Sequence, residues 1–240
     1  GESYLAVLDA LHDASINVTV CRQEGGAAMM AEAHGKLTGR PGICMVTRGP
    51  GASNALAGIH IAKQDSTPLI VFVGQIETGM REREAFQEVD YRAVFGTQTK
   101  WTTEIDDAAR IPELIARAFH VAMSGRPGPV VIALPEDMLV QLATVADAPR
   151  VEPVESAPTP EQMAQLATLL AGAKNPLAIL GGSRWTEDAV NEFVHLAERQ
   201  QLPVAEQHAL FPEEDARAAA PRFHPARRFA VSLVPDQFER

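Results

Sequence analysis

Two runs, Leu69-Ile70-Val71-Phe72-Val73 and Val130-Val131-Ile132-Ala133-Leu134, are apolar at every position over the length of a strand. A strand with one wet face alternates apolar and polar residues. One without that alternation is covered on both faces, as in parallel sheets whose crossover helices lie above and below. Around these runs the apolar period lengthens to about 3.6, the helical value. Helices are expected over 4–14 (Leu5, Leu8, Ala10 and Leu11 on one face), 24–37, 52–63 and 111–123, the last with Pro112 in its first turn. Strands are expected over 18–21, 43–47, 68–73 and 129–134. Thr38-Gly39-Arg40-Pro41-Gly42 and Ser124-Gly125-Arg126-Pro127-Gly128 repeat one helix-to-strand connector. The fold class that follows is α/β, a doubly wound parallel sheet.

The chain has 240 residues, 46% of them hydrophobic, enough for one large domain and part of another. The first domain is placed at 1–145. Residues 146–160, with Pro149, Pro153, Pro158 and Pro160 and no periodicity, read as a linker. Residues 161–205 read as the start of a second, incomplete α/β domain. It has helices over 161–171 and 187–201, a strand over 177–180 ending in Gly181-Gly182, and a strand beginning at Pro203-Val204. The stretch 206–240 shows no period and is left unassigned.

Lys+Arg at 21 against Asp+Glu at 31 gives a net charge of -10, the wrong sign for a nucleic-acid partner. No apolar run approaches the roughly 20 residues of a membrane span, and Gly-Glu-Ser-Tyr opens the chain without an export signal, so a cytoplasmic protein is expected. Cys21 and Cys44, each in an expected strand, read as small buried apolar side chains; no spacing suggests a metal site. His12, His34, His60, His120 and His195 lack liganding geometry, and Trp101 and Trp185 read as packing anchors.

Three segments could carry chemistry. Glu24, in Arg22-Gln23-Glu24-Gly25-Gly26, sits at a strand-to-helix junction. It fits a first-turn carboxylate favoured by the helix dipole, or a partly buried carboxylate facing a ligand. Arg48-Gly49-Pro50-Gly51-Ala52-Ser53-Asn54 lies at the carboxyl end of an expected parallel strand, where open α/β sheets place ligands, and its glycines allow close backbone approach. It could equally be a tight turn with a cap; it lacks the Lys and Ser/Thr of a phosphate loop. Arg83-Glu84-Ala85-Phe86-Gln87-Glu88-Val89-Asp90 is either a solvated charged run or, through Phe86 and Gln87, the lining of an apolar pocket with one amide. No Gly-x-Gly-x-x-Gly joins a strand to a helix, which argues against a Rossmann dinucleotide site.

Taken in order, CRQEGGAAMMAEAHGKLTGRPGICMVTRGPGASN, AKQDSTPLIVFVGQ, AFQEVDY and SGRPGPVVIALPEDM resemble the pyrimidine-binding domain of thiamine-diphosphate enzymes, most of all the acetohydroxyacid (acetolactate) synthase group. The likeness is dense from residue 1 to about 142. It continues more weakly through Leu177-Ala178-Ile179-Leu180-Gly181-Gly182, which resembles the start of that group's central, FAD-binding domain. The resemblance implies that Glu24 hydrogen-bonds a ring nitrogen of the cofactor's aminopyrimidine and holds the proton that favours its imino tautomer. It places Pro50 and Asn54 against the same ring, and Phe86 and Gln87 toward the substrate, a small 2-oxo acid. It implies no metal ligand in this chain.

The chain departs from the synthase pattern at three places. Gln23-Glu24-Gly25-Gly26 stands where His-Glu-Gln-Gly is usual, Arg48 stands where Ser is usual, and Leu134-Pro135-Glu136-Asp137 carries Glu where Lys is usual. The family glutamate is kept, while acetolactate as the particular product is put in question. The family's Gly-Asp-Gly segment for diphosphate and magnesium does not occur here, and Gly1 matches the tail of the Gly-x-Pro-Gly loop that follows the family's first strand. The expectation is an amino-terminal fragment, inactive alone, whose site is completed by a second subunit. The alternative is a non-catalytic or split-subunit module whose partner carries the diphosphate domain.

Overall fold

The computed structural model describes residues 1–182, 185–206 and 231–233, and the chain divides into two compact units, Gly1–Glu155 and Ser156–Arg240. In the first, α1 (Leu5–His12), α2 (Glu24–Thr38), β1 (Gly42–Val46), α3 (Pro50–Asn54), α4 (Leu56–Gln64) and β2 (Leu69–Gln75) follow in chain order. Then come α5 (Tyr91–Phe95), β3 (Trp101–Glu104), α6 (Ile111–Met123) and β4 (Pro129–Pro135). The strands make a four-stranded sheet in the order β1-β2-β4-β3, every pair parallel. Val71 pairs with Cys44 on one side and Val131 on the other.

Alternate strand residues serve opposite faces, as the pleat requires. Val46, Leu69, Val71, Val73 and Val131 pack with Ala28 of α2 and Ile59 and Ala62 of α4. Ile70, Val130, Ile132 and Leu134 pack with Leu114, Ala118 and Ala122 of α6. Every residue of β4 is buried, so the unbroken apolar runs are the sheet's two central strands and the doubly wound α/β architecture stands.

Four local expectations change. Residues 18–21 form no strand: Val18 is 51% and Val20 91% exposed. Branched side chains favour extended backbone, but a strand also needs a pairing edge and cover for its side chains. Cys21 is accordingly half-buried, whereas Cys44 is buried in β1. Burial, with Cys21 nearby, pushes the Cys44 thiol up to about 11. Helix α1 leaves Leu5 and Leu8 exposed and turns Val7 to the α6-side core instead. The helix expected over 52–63 starts earlier, with Pro50 in its first turn, and is divided at Ala55. Strand β3 and helix α5 were not anticipated, because β3 is a four-residue edge strand whose Thr102 and Glu104 hide the apolar signal.

The second unit holds α7 (Pro160–Gly172), β5 (Ala178–Leu180), α8 (Glu187–Gln200), β6 (Val204–Glu206) and β7 (Val231–Leu233). Its sheet runs β6-β5-β7, with β7 antiparallel to β5. Thr159 and Gln162 form a reciprocal capping box on α7. Ala178, Leu180, Phe193 and Leu202 make the core, and Trp185 meets Phe193 edge-on at 5.9 Å. The stretch left unassigned at 206–240 thus contributes Glu206 to β6 and residues 231–233 to β7; three-residue strands carry too little period to be read from sequence. Its remaining residues, 207–230 and 234–240, lie outside the described residues. No described helix is long and apolar enough to cross a membrane.

Candidate functional site

The carboxyl ends of β1, β2 and β4 carry the loops that build the site. After β1, the Thr47 and Ser3 hydroxyls meet at 2.8 Å, and the Gly49 N–H donates to the Tyr91 hydroxyl at 2.9 Å. Burial pushes the Tyr91 phenol up, opposed by that N–H and by the nearby Arg48 charge. Gly49 has a φ of 61°, and a Cβ there would stand 2.8 Å from Gln87 Cβ. The position demands glycine twice, for its backbone and for the space Gln87 fills.

On the facing element, the Gln23 side chain caps α2 by accepting the Gly26 N–H at 2.6 Å. Glu24 is then the first helical residue, where the helix dipole favours a carboxylate. It is half-buried. Asn54 Nδ2 donates to Glu24 Oε2 at 3.2 Å. Glu24 Oε1 would lie 3.5 Å from a Cβ built on Gly51, so the carboxylate sits against backbone that carries no side chain.

Of the five residues singled out in the sequence, Glu24, Pro50 and Asn54 come together at this junction, with Pro50 and Asn54 exposed. Gln87 lies against the other side of Gly49. Phe86 is 77% exposed. The segment that carries both is not a simple solvated run. Glu82, Glu84 and Gln87 have φ of 61°, 54° and 65°, and the Glu88 carboxylate stabilises the loop by accepting the N–H groups of Glu82 and Ala85. Gln75, at the end of β2, donates to the Val89 carbonyl at 3.0 Å and accepts the Ile76 N–H.

Two further contacts join β4's loop to the others. Arg48 Nη1 donates to Glu136 Oε2 at 2.7 Å, and Asp137 accepts both the backbone N–H and the hydroxyl of Thr78. Sequence reasoning met Arg48 and Glu136 only as separate departures from a pattern. Gln75, Tyr91 and Asp137 were not singled out at all, although each stands inside a motif quoted for the resemblance. Among the described residues, no group of three His, Cys, Asp or Glu side chains could hold a metal ion.

Residues 1–94 match the family described as thiamine pyrophosphate enzyme, N-terminal TPP binding domain. That stretch of the chain is similar to this family's N-terminal domain. All five residues singled out above fall inside the matched stretch. The likeness runs past it. The chain is 37% identical over 210 residues to the acetolactate synthase large subunit of Lactococcus lactis subsp. lactis (strain IL1403), covering 85% of this chain and 36% of that one. It is 34% identical over 211 residues to the probable acetolactate synthase large subunit of Methanococcus aeolicus, covering 85% and 35% respectively. It is 36% identical over 192 residues to the acetolactate synthase isozyme 2 large subunit of Escherichia coli (strain K12), covering 79% and 35%. The chain therefore spans about a third of the length of the curated relatives it matches.

Proposed function

We propose that the first unit holds the aminopyrimidine half of thiamine diphosphate, in an enzyme that acts on 2-oxo acids in the manner of acetolactate synthase. The observation that carries this reading is the Glu24 carboxylate, held by Asn54 and lying against the bare backbone of Gly51. A planar ring needs such a side-chain-free approach, and a ring nitrogen needs a fixed, partly desolvated acid beside it. The residues present therefore fit the group. When bound, thiamine diphosphate supplies the carbanion chemistry. In this reading Glu24 holds a proton at the ring nitrogen, Asn54 fixes the carboxylate, and Pro50 packs on the ring. Phe86 and Gln87 serve the substrate side.

The same reading assigns the diphosphate and its magnesium to a domain carrying Gly-Asp-Gly, on a second subunit that completes the site. It assigns FAD to a central domain that the second unit begins, and it places the enzyme in the cytoplasm, in branched-chain amino acid biosynthesis. The exposure of Pro50, Asn54 and Phe86 supports a face that another polypeptide covers. That exposure also favours a second reading, a split-subunit module without activity of its own. There, activity arises only on mixing with a partner that bears the diphosphate domain.

Glu24→Gln, made in the holoenzyme assembled with that domain, tests the main reading. Turnover and exchange of the cofactor's thiazolium proton should both fall by on the order of 10²-fold or more. Exchange at the wild-type rate would overturn the role given to Glu24.

A further inference from the structure

Arg48 and Glu136 stand 88 residues apart, on the loops after β1 and β4, and β2 lies between those strands in the sheet. Their contact therefore reaches across the carboxyl end of β2. There the Glu136 N–H also donates to the Gln75 carbonyl at 3.3 Å. The Arg48 side chain is 12% exposed and that of Glu136 37%. Arg48 Nε is buried with no acceptor, so the Glu136 carboxylate is the guanidinium's anionic partner at this edge.

The neighbours on both sides are anchored as well. Gly49 is tied to Tyr91, and Asp137 to Thr78. The ion pair thus links the start of the Gly49–Asn54 loop to the start of the turn that holds the 76–90 segment. Losing one member of a pair whose cation is largely buried and whose anion is half-exposed leaves an uncompensated charge, at a cost that solvent reduces on the Glu136 side, whereas replacing both can cost little.

Arg48 and Glu136 are also two of the places where the chain departs from the synthase pattern. Lysine at 136 would set a second cation against the Arg48 guanidinium. Serine at 48 would leave Glu136 as a partly buried anion without its partner. Either departure alone is unfavourable, and the two together cancel.

We propose that Arg48 and Glu136 act as one charge-coupled positioning pair that sets the geometry of the Gly49–Asn54 loop, which rests on the reading of that loop as the pyrimidine site. The pair touches neither cofactor nor substrate in this assignment; it acts through Gly49.

The test uses the chain itself, as R48S, E136K and the double R48S/E136K, with the charge swap R48E/E136R as a fourth variant. Urea denaturation gives the midpoint, amide hydrogen exchange reads the Gly49 N–H, and titration with thiamine reads the site. Each single substitution should lower the midpoint and speed exchange at Gly49 by on the order of tenfold or more relative to amides of β4. The double should bring both back toward wild type. Single effects that simply add in the double would overturn the coupling. A midpoint that recovers without any special response at Gly49 would reduce the pair to a strut and overturn the positioning role. Should a single variant fail to fold, the double and the swap still decide, since both must fold and protect Gly49. A wild-type chain that binds no thiamine even when assembled with the diphosphate domain would overturn the pyrimidine reading instead, leaving the exchange result to judge the pair.

Discussion

Asp137 ionises in a setting where burial opposes its charge. The hydrogen bonds from the Thr78 backbone and hydroxyl, with the N–H groups of Asp137 and Met138, outweigh that and hold the carboxyl below the usual carboxylate range. A carboxyl depressed by folding stabilises the native state above its unfolded value, near about 3.9. That stabilisation is lost as pH falls through the lower, folded value. Asp137→Asn should therefore cost up to about 1 kcal/mol near neutral pH, since solvent screens a half-buried carboxylate, and the gap to wild type should close as pH falls below about 4. Urea denaturation of both proteins across that range checks it. A gap that stays constant would mean that the charge of Asp137 contributes nothing. At this scale the sequence was legible where one residue type has a local reason to stand where it does: Glu24 opens a helix, and Gly49 occupies a left-handed turn. The partnerships of Arg48 with Glu136 and of Gln75 with Val89 join distant or irregular segments. No local period encodes such a meeting.

Elements were readable in proportion to how much of their surface the core covers. Strands β2 and β4 present apolar residues on both faces because helices close over both, and that demand is written directly into their composition. Edge strand β3 is covered less, so Thr102 and Glu104 are tolerated and the strand escapes notice. The 18–21 segment fails in the opposite sense, with strand-like residues that pair with no described strand and stay exposed. Coverage therefore also ranks the cost of truncating a side chain. Ile132 is fully buried in β4, whereas Ile43 in edge strand β1 is 48% exposed. Ile132→Ala should cost about 2–5 kcal/mol, from lost transfer free energy and the cavity left behind. Ile43→Ala should cost well under half as much. Denaturant midpoints at constant m-value measure both, and equal losses would refute the central placement of β4.

At the scale of the whole chain, the two units are joined by residues 141–159, which carry neither helix nor strand and are almost all exposed. Such backbone has few contacts to lose when a protease straightens it over its active site. Arg150 lies in this stretch, with Glu152 as a solvent-exposed ion-pair partner that cannot hold the chain in place. The arginines of the 76–90 segment are less available. Arg81 pairs with Glu104, and the loop around Arg83 is closed by the Glu88 carboxylate. Limited trypsin digestion should therefore cut after Arg150 before it cuts after Arg81 or Arg83. The product spans 1–150 and retains the sheet of β1 to β4 with both of its core faces. That product should unfold in a single cooperative urea transition, because strands β1 to β4 and the α2, α4 and α6 helices packed on them all lie on it. A first cut after Arg81 or Arg83, or a product without a cooperative transition, would show that the division at 155 and 156 does not separate an independently stable unit.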